Sequence, residues 1–244
     1  MQTTVAELAK QAGNVLLLYT GWMRYLNQKA CSTITAVANK KTGLYLGEIR
    51  MDKGRLLAFT DAVIAIVITI LVLELELPAA PTMEALWEIR EGFFAYAVSF
   101  FWIGATWINL HNQWHRAKRI TTRVVWHSVL MLFFISLIPY VTRFAGNNLM
   151  SMFALGIYWV VSLLTTINIM AQGYALGYYK RGDPEFLASS RVLNHWMWVD
   201  LGINIAGFPL ALALRYPPVV MIVICVAAVI PSAVIRHLNR EYEA

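Results

Sequence analysis

Charge is what this sequence has least of. Its 244 residues include 20 Lys or Arg and 14 Asp or Glu, 14% in all, where a soluble domain carries about a quarter. So little polar surface cannot cover a water-soluble globule. With 59% hydrophobic residues and a mean hydropathy of +0.56, the remaining cover must be lipid. Cysteine is nearly absent too: Cys31 and Cys225 fall in unlike settings, so no disulfide framework follows. There is no CxxC pair, HExxH, phosphate-binding glycine loop or GxSxG, and the five histidines lack a metal-ligand spacing. An enzyme has little to build on, and neither a cofactor nor a structural metal is expected.

Long apolar runs are abundant. Windows of about 20 mostly apolar residues give six spans, at 55–77, 92–112, 124–144, 149–178, 193–214 and 217–236. The runs lack a strand's alternation, and hydrocarbon offers no water to unpaired backbone groups, so each reads as a helix. The expected fold is an all-α integral membrane protein with a six-helix core over 51–240 and a tail at 241–244. Twelve Lys and Arg flank the spans on one side, from Arg50, Lys53 and Arg55 through Arg236 and Arg240, against Arg90, Arg143 and Arg215 on the other. That asymmetry predicts a multi-pass membrane protein with both termini in the cytoplasm. The basic pI of 9.4 then reads as anchoring to an anionic leaflet rather than as a nucleic-acid face.

Residues 1–50 stand apart. Their apolar run, Val15 to Leu18, is broken by Gly21 and Arg24 and is too short to span a bilayer. A secretory signal fits poorly, since its removal would put the basic flank of span one on the wrong side. Met51 opens a natural-looking start, so 1–50 is expected to be a peripheral or dispensable extension.

Span one carries an acid where lipid penalises one, in Arg55-x-x-x-Phe59-Thr60-Asp61. If Thr60 were an N-cap, the helix left over would cover about 24 Å, short of the ~30 Å hydrocarbon core; a start at Arg55 gives about 34 Å. Thr60 and Asp61 are therefore expected one to two turns inside. Ile66, Ile70, Leu73 and Leu77 share a stripe with Ala62 and Thr69 at its edges, and Asp61 points elsewhere, toward neighbouring helices. Arg55 is about 120° out of phase with Asp61, so partners should come from other spans. Trp107 and His111 in span two, with Asn109 and Asn112 beside them, are the candidates; an interfacial aromatic and a boundary base are the alternative reading of the first two.

Glu74, Glu76, Glu84, Glu88 and Glu91 cluster on the outer side. Such carboxylates can concentrate cations at a pore mouth, although Glu84, Glu88 and Glu91 read equally well as a solvated loop. Trp196, Asp200 and Asn204 form a stripe on span five, Asn168 and Gln172 another on span four. These polar stripes are either glue between helices or, with Asp200 as an ion site near Gly207 and Pro209, part of a cation- or proton-coupled secondary transporter. Pro139, Pro209 and Pro231 fit helix kinks.

The Arg55-x-x-x-Phe59-Thr60-Asp61 signature and the AVIAIVITILVLELELP run directly after it resemble the first helix of the transmembrane protein 175 family of potassium channels, whose hallmark is Arg-x-x-x-Phe-Ser-Asp. Trp107 with His111, and FFISLIPYVTRFAG at 133–146, extend the resemblance over about 55–236. Thr60 replaces the usual serine, and Leu110 stands where relatives often carry a second histidine. The resemblance implies a non-canonical potassium channel fold without the Thr-Val-Gly-Tyr-Gly filter, which this sequence indeed lacks. It implies a pore lined by first helices, with Ile66 at a hydrophobic constriction, Thr69, Ile70 and Leu73 extending the lining, and potassium held transiently near Ile66 and Thr69. Periodicity alone reads the same side chains as lipid-facing or packing residues. Glu74 and Glu76 become the outer mouth, and Arg55, Phe59, Thr60, Asp61, Trp107 and His111 a polar network that fixes the pore helix. The sequence has no internal repeat, so one six-helix unit per chain implies a homotetramer.

Overall fold

In a computed structural model of the chain, residues 52–115, 120–176 and 184–230 are described, together with Gly21; for 115 and 184–196 the description is of the backbone alone. The chain divides into two units, Met1–Glu48 and Ile49–Ala244, and the long apolar helices all belong to the second. The expected extension at 1–50, apart from Gly21, and the tail at 241–244 lie outside the described residues.

All regular structure among the described residues is helical. Helix α1 (Lys53–Leu73) begins at Asp52, whose carboxylate accepts the amide of Gly54 at 3.3 Å and so satisfies one of the donors a helix start leaves open. At 21 residues it is about 31 Å long, enough to cross a hydrocarbon core. The helix stops short of the expected 77. The charged Glu74 and Glu76 and then Pro78 follow Leu73, so Leu77 lies beyond the helix and outside its periodicity.

A six-residue helix, α2 (Met83–Glu88), is capped by Thr82, whose hydroxyl accepts the amide of Ala85 at 3.2 Å. The long α3 (Arg90–His115) comes next. Span three consists of two pieces, α4 (Thr122–Ser136) and α5 (Ile138–Gly146), joined at Leu137. The reason is Pro139, which has no N–H to give the preceding turn and sits naturally in the first turn of a new helix. Helix α6 (Met152–Ala175) is capped by the Ser151 hydroxyl. Helix α7 (Pro184–Leu214) carries Pro209 without ending there. Among the described residues, five segments are long and apolar enough to cross a membrane: Lys53–Leu73, Arg90–Trp114, Thr122–Gly146, Met152–Ala175 and Met197–Leu214. Of the sixth expected span, 217–236, a shorter apolar helix, α8 (Val219–Ile230), is described; Pro217 and Pro218 form the turn before it, and 231–236, with Pro231, lie outside the described residues.

The core lies where α4 and α5 pack on α6, with α1 and α3 against them. Trp102, Ile103, Met131, Ile135, Leu155, Tyr158 and Met221 are fully buried. Helices α3 and α5 approach closely because both are small at the crossing: a Cβ on Gly146 would lie 3.1 Å from the Cα of Gly92, the small-residue contact that lets membrane helices touch backbones. Polar side chains add directed links. Thr142 donates to Ser99 at 2.8 Å, Ser99 meets the Tyr158 hydroxyl at 3.1 Å, and Gln172 donates to Ser128 at 2.6 Å. These bonds tie α3, α5 and α6 together and α6 to α4, which is how polar groups at membrane depth avoid being left unpaired.

Candidate site on the first helix

Helix α1 has two unlike sides. Leu56, Thr60, Ile64, Val67 and Leu71 recur every three or four residues and are buried, so this stripe is what α1 packs into its own bundle. The other side is exposed although every bit as apolar: Phe59, Ile66, Ile70, Val72 and Leu73 are 54, 58, 37, 48 and 78% accessible. Thr69 is exposed beside them, its hydroxyl donating to the carbonyl of Ile66 at 2.8 Å. Ile66, Thr69, Ile70 and Leu73 thus share one outward face.

The charged signature lies two turns inside the helix. Asp61 is exposed on α1, and its Oδ1 accepts from the indole Nε1 of Trp107 on α3 at 2.9 Å. The Trp107 ring in turn lies 5.8 Å from that of His111, tilted by 37°. A carboxylate bonded to a fixed indole donor fixes the rotation of α1 against α3, and a bond to a charged acceptor is about twice as strong as a neutral one. Thr60 plays a different part from a contact between spans. Its hydroxyl is buried and donates to the carbonyl of Leu56 in its own helix at 2.9 Å, as threonine does when no closer partner is offered. Arg55 and Phe59 are exposed at the start of the helix.

At the far end, Glu74 accepts from Arg143 Nη1 at 3.3 Å and Glu76 from Asn147 Nδ2 at 2.8 Å. Both partners belong to the C-terminal end of α5 and its cap. They line, with Glu88 and Glu91 of the α2–α3 corner, a cavity of about 360 Å³. The two carboxylates expected at a mouth are therefore engaged by α5, and Arg143 offsets part of their charge. Sequence reasoning misses Arg143 and Asn147 as their partners; the signal available is an arginine on the side poor in basic residues. Trp159 Nε1 donates to the carbonyl of Asn204 at 2.7 Å, and Asn204 Nδ2 donates to the carbonyl and carboxylate of Asp200 at 3.0 and 3.1 Å.

Taken together, the described residues form a helical protein with several segments long and apolar enough to cross a membrane, and α1 is among those that turn an apolar face away from the core. Residues 55–139 match the family described as Endosomal/lysosomal potassium channel TMEM175. The chain is 40% identical over 98 residues to a potassium channel of Chryseobacterium sp. (strain P1-3), 40% of this chain and 51% of that one. It is 31% identical over 102 residues to one of Streptomyces collinus, 40% and 50% of the two chains. The chain spans about half the length of the curated relatives it matches. The fold is similar to the crystal structure of a lysosomal potassium-selective channel TMEM175 homolog from Chamaesiphon minutus. That similarity has a TM-score of 0.55 at 22% identity, covering 72% of this chain and 97% of that one.

Proposed function

We propose that this chain is the subunit of a potassium-selective, leak-type cation channel of a cell membrane, in which four copies surround a pore lined by α1. The outward apolar face of α1 carries the reading. Ile66 and Leu73 are more than half accessible in the single chain, on the segment of highest hydropathy among the spans and inside the region that matches the potassium channel family. A ring of four Ile66 side chains makes a hydrophobic constriction that conducts only when wide enough to wet. Thr69 supplies hydroxyl oxygens one turn away, which replace part of an ion's water shell. Asp61 and Trp107 do not touch the ion; they hold the rotation that turns Ile66 inward. Glu74 and Glu76 lie at the mouth, partly neutralised by Arg143. The excess of basic residues on one side supports a cytoplasmic placement of both termini.

Potassium and sodium fluxes in liposomes test the assignment for the native chain and for Ile66→Asn. The native protein should pass potassium faster than sodium. A polar ring wets where isoleucine dries, so Ile66→Asn should raise flux or lower the potassium preference by about tenfold, which corresponds to ~1.4 kcal/mol of barrier. Equal fluxes of both ions, unchanged by the substitution, remove the pore from α1.

A further inference from the structure

Away from α1, between α3, α6, α7 and α8, lies a chamber of about 40 Å³ walled in part by Trp102 and lined by Thr106, Asn109, Gln113, Thr166 and Asp200. At roughly 10–15 Å³ for each water-sized occupant, it holds a few small particles at most. Its amides are pinned through their nitrogens. Asn109 Nδ2 donates to the carbonyl of Ala228 at 3.1 Å, and Gln113 Nε2 to that of Ile169 at 3.2 Å. Those bonds decide which end of each amide is oxygen. They leave Asn109 Oδ1 and Gln113 Oε1 buried without a partner, on a Gln113 that is only 2% exposed. Gly173 keeps the space for this arrangement, because a Cβ there would collide with the Gln113 amide. The Asp200 carboxylate adds a negative charge, met by one neutral donor, Asn204 Nδ2, at 3.1 Å.

The polar half of the lining therefore offers acceptors and a carboxylate, the other half is apolar (Trp102, Ile169, Met170, Met197 and Ala228), and no Lys, Arg or His is among the described lining. Protonating Asp200 removes the charge but leaves the two amide oxygens unpaired, each at the cost of a buried orphan acceptor. Water alone pairs the oxygens but leaves the charge uncompensated where surroundings screen poorly. A divalent ion exceeds the single carboxylate's charge, and such ions favour richer sets of anionic oxygen. A monovalent cation meets both demands with Asp200 ionised; a protonated Asp200 with a water on the amide oxygens is the competing arrangement, and it gives no ion-dependent stabilisation.

We infer that each subunit binds one largely dehydrated monovalent cation, of the potassium or sodium type, in this chamber. Its ligands are Asp200, Asn109 Oδ1, Gln113 Oε1 and the Thr106 and Thr166 hydroxyls. The ion is resident rather than conducted: it lies within one subunit and clamps α3, α6 and α7 to one another. The site does not depend on α1 lining a pore.

Thermal unfolding of the purified full-length chain in potassium chloride, sodium chloride or N-methyl-D-glucamine chloride, at equal ionic strength, tests the inference. An ion that binds only the folded state raises the midpoint with its concentration. The midpoint should rise in potassium or sodium over the organic cation, and whichever small ion gives the larger rise is the preferred occupant. Asp200→Asn and Gln113→Met should each lower the apparent affinity by about tenfold or more, while Ile66→Asn should keep the rise and so separates this site from any ion held at the pore. A rise absent from the native chain, or retained in Asp200→Asn and lost in Ile66→Asn, overturns the site. Should either chamber variant fail to fold, thallium(I) soaked into crystals of the native protein decides: an anomalous peak in the chamber supports the site, and a chamber holding only water refutes it.

Discussion

At the level of single residues, the Asp61–Trp107 bond links α1 to α3 through a charged acceptor at 2.9 Å. Hydrogen bonds to charged groups contribute about 1.5–3 kcal/mol, and stripping the donor leaves a carboxylate to find another partner near lipid. Trp107→Phe should therefore lower the stability of the detergent-solubilised protein by about 2 kcal/mol. Asp61→Asn keeps an acceptor but loses the charge, so it should cost less in stability while still lowering the yield of assembled protein. The double variant should cost less than the sum, because the two changes remove the same bond. Unfolding midpoints and size-exclusion profiles check all three; additive losses, or a fully assembled Asp61→Asn with altered selectivity, would falsify a purely positioning role. The need for a donor is legible in the sequence, since an acid in a greasy span demands one. The choice of Trp107 over the Asn109 beside it depends on the crossing of α1 with α3, which leaves no trace in one chain's sequence. Thr60 shows the reverse problem: a hydroxyl in a helix can always turn back on its own backbone, so its partner is undetermined before the fold is known.

At the level of elements, the apolar runs locate the helices well and their ends less well. The hydrophobic run carries α1 on to 77 because leucines alternate with the glutamates there, yet the helix ends at Leu73 once charge and then Pro78 intervene. Helix α2 escapes notice because six residues leave too little periodicity to detect. The turn between α7 and α8 holds the one described non-glycine residue with a positive φ, Arg215 at 53°. Tyr216 N–H bonds the carbonyl of Ala211 and Arg215 N–H that of Leu212, both at 3.2 Å, the paired bonds of a Schellman end in which glycine is the usual occupant. Pro217 and Pro218 then prevent the helix from resuming. A side chain in this left-handed region costs about 1 kcal/mol or more. Arg215→Gly should accordingly raise the unfolding free energy by about 1 kcal/mol, read as a higher denaturant midpoint with an unchanged slope. A lower midpoint would mean that the Arg215 side chain contributes more than its backbone costs.

At the scale of the whole molecule, α1 turns an apolar face outward, as α4 does with Trp126, Val129 and Phe133 and α8 with Ile222, Val226 and Val229, and a single α1 cannot enclose a path for ions. The sequence implies four copies only through resemblance. Nothing in a single chain's periodicity tells a face that meets lipid from one that meets its own symmetry mates, since both are apolar and both are exposed in the isolated subunit. The two cases differ in distance between copies. Around a cyclic axis, residues on pore-lining helices approach their counterparts, whereas residues facing lipid are separated by whole subunits. Leu73, the most exposed large hydrophobic side chain within α1 at 78%, is the position to use. With Cys31 and Cys225 replaced by serine, Leu73→Cys should pair under mild oxidation into disulfide-linked dimers in nearly all of the protein, two pairs in each particle. The native mass of the unlinked particle should be four times the 27.6 kDa of the chain, before and after oxidation. A monomeric or dimeric particle, or a tetramer in which Leu73→Cys stays reduced while a cysteine on the buried side of α1 is equally unreactive, places the Ile66–Leu73 face against acyl chains and leaves the conduction path to be built by other helices.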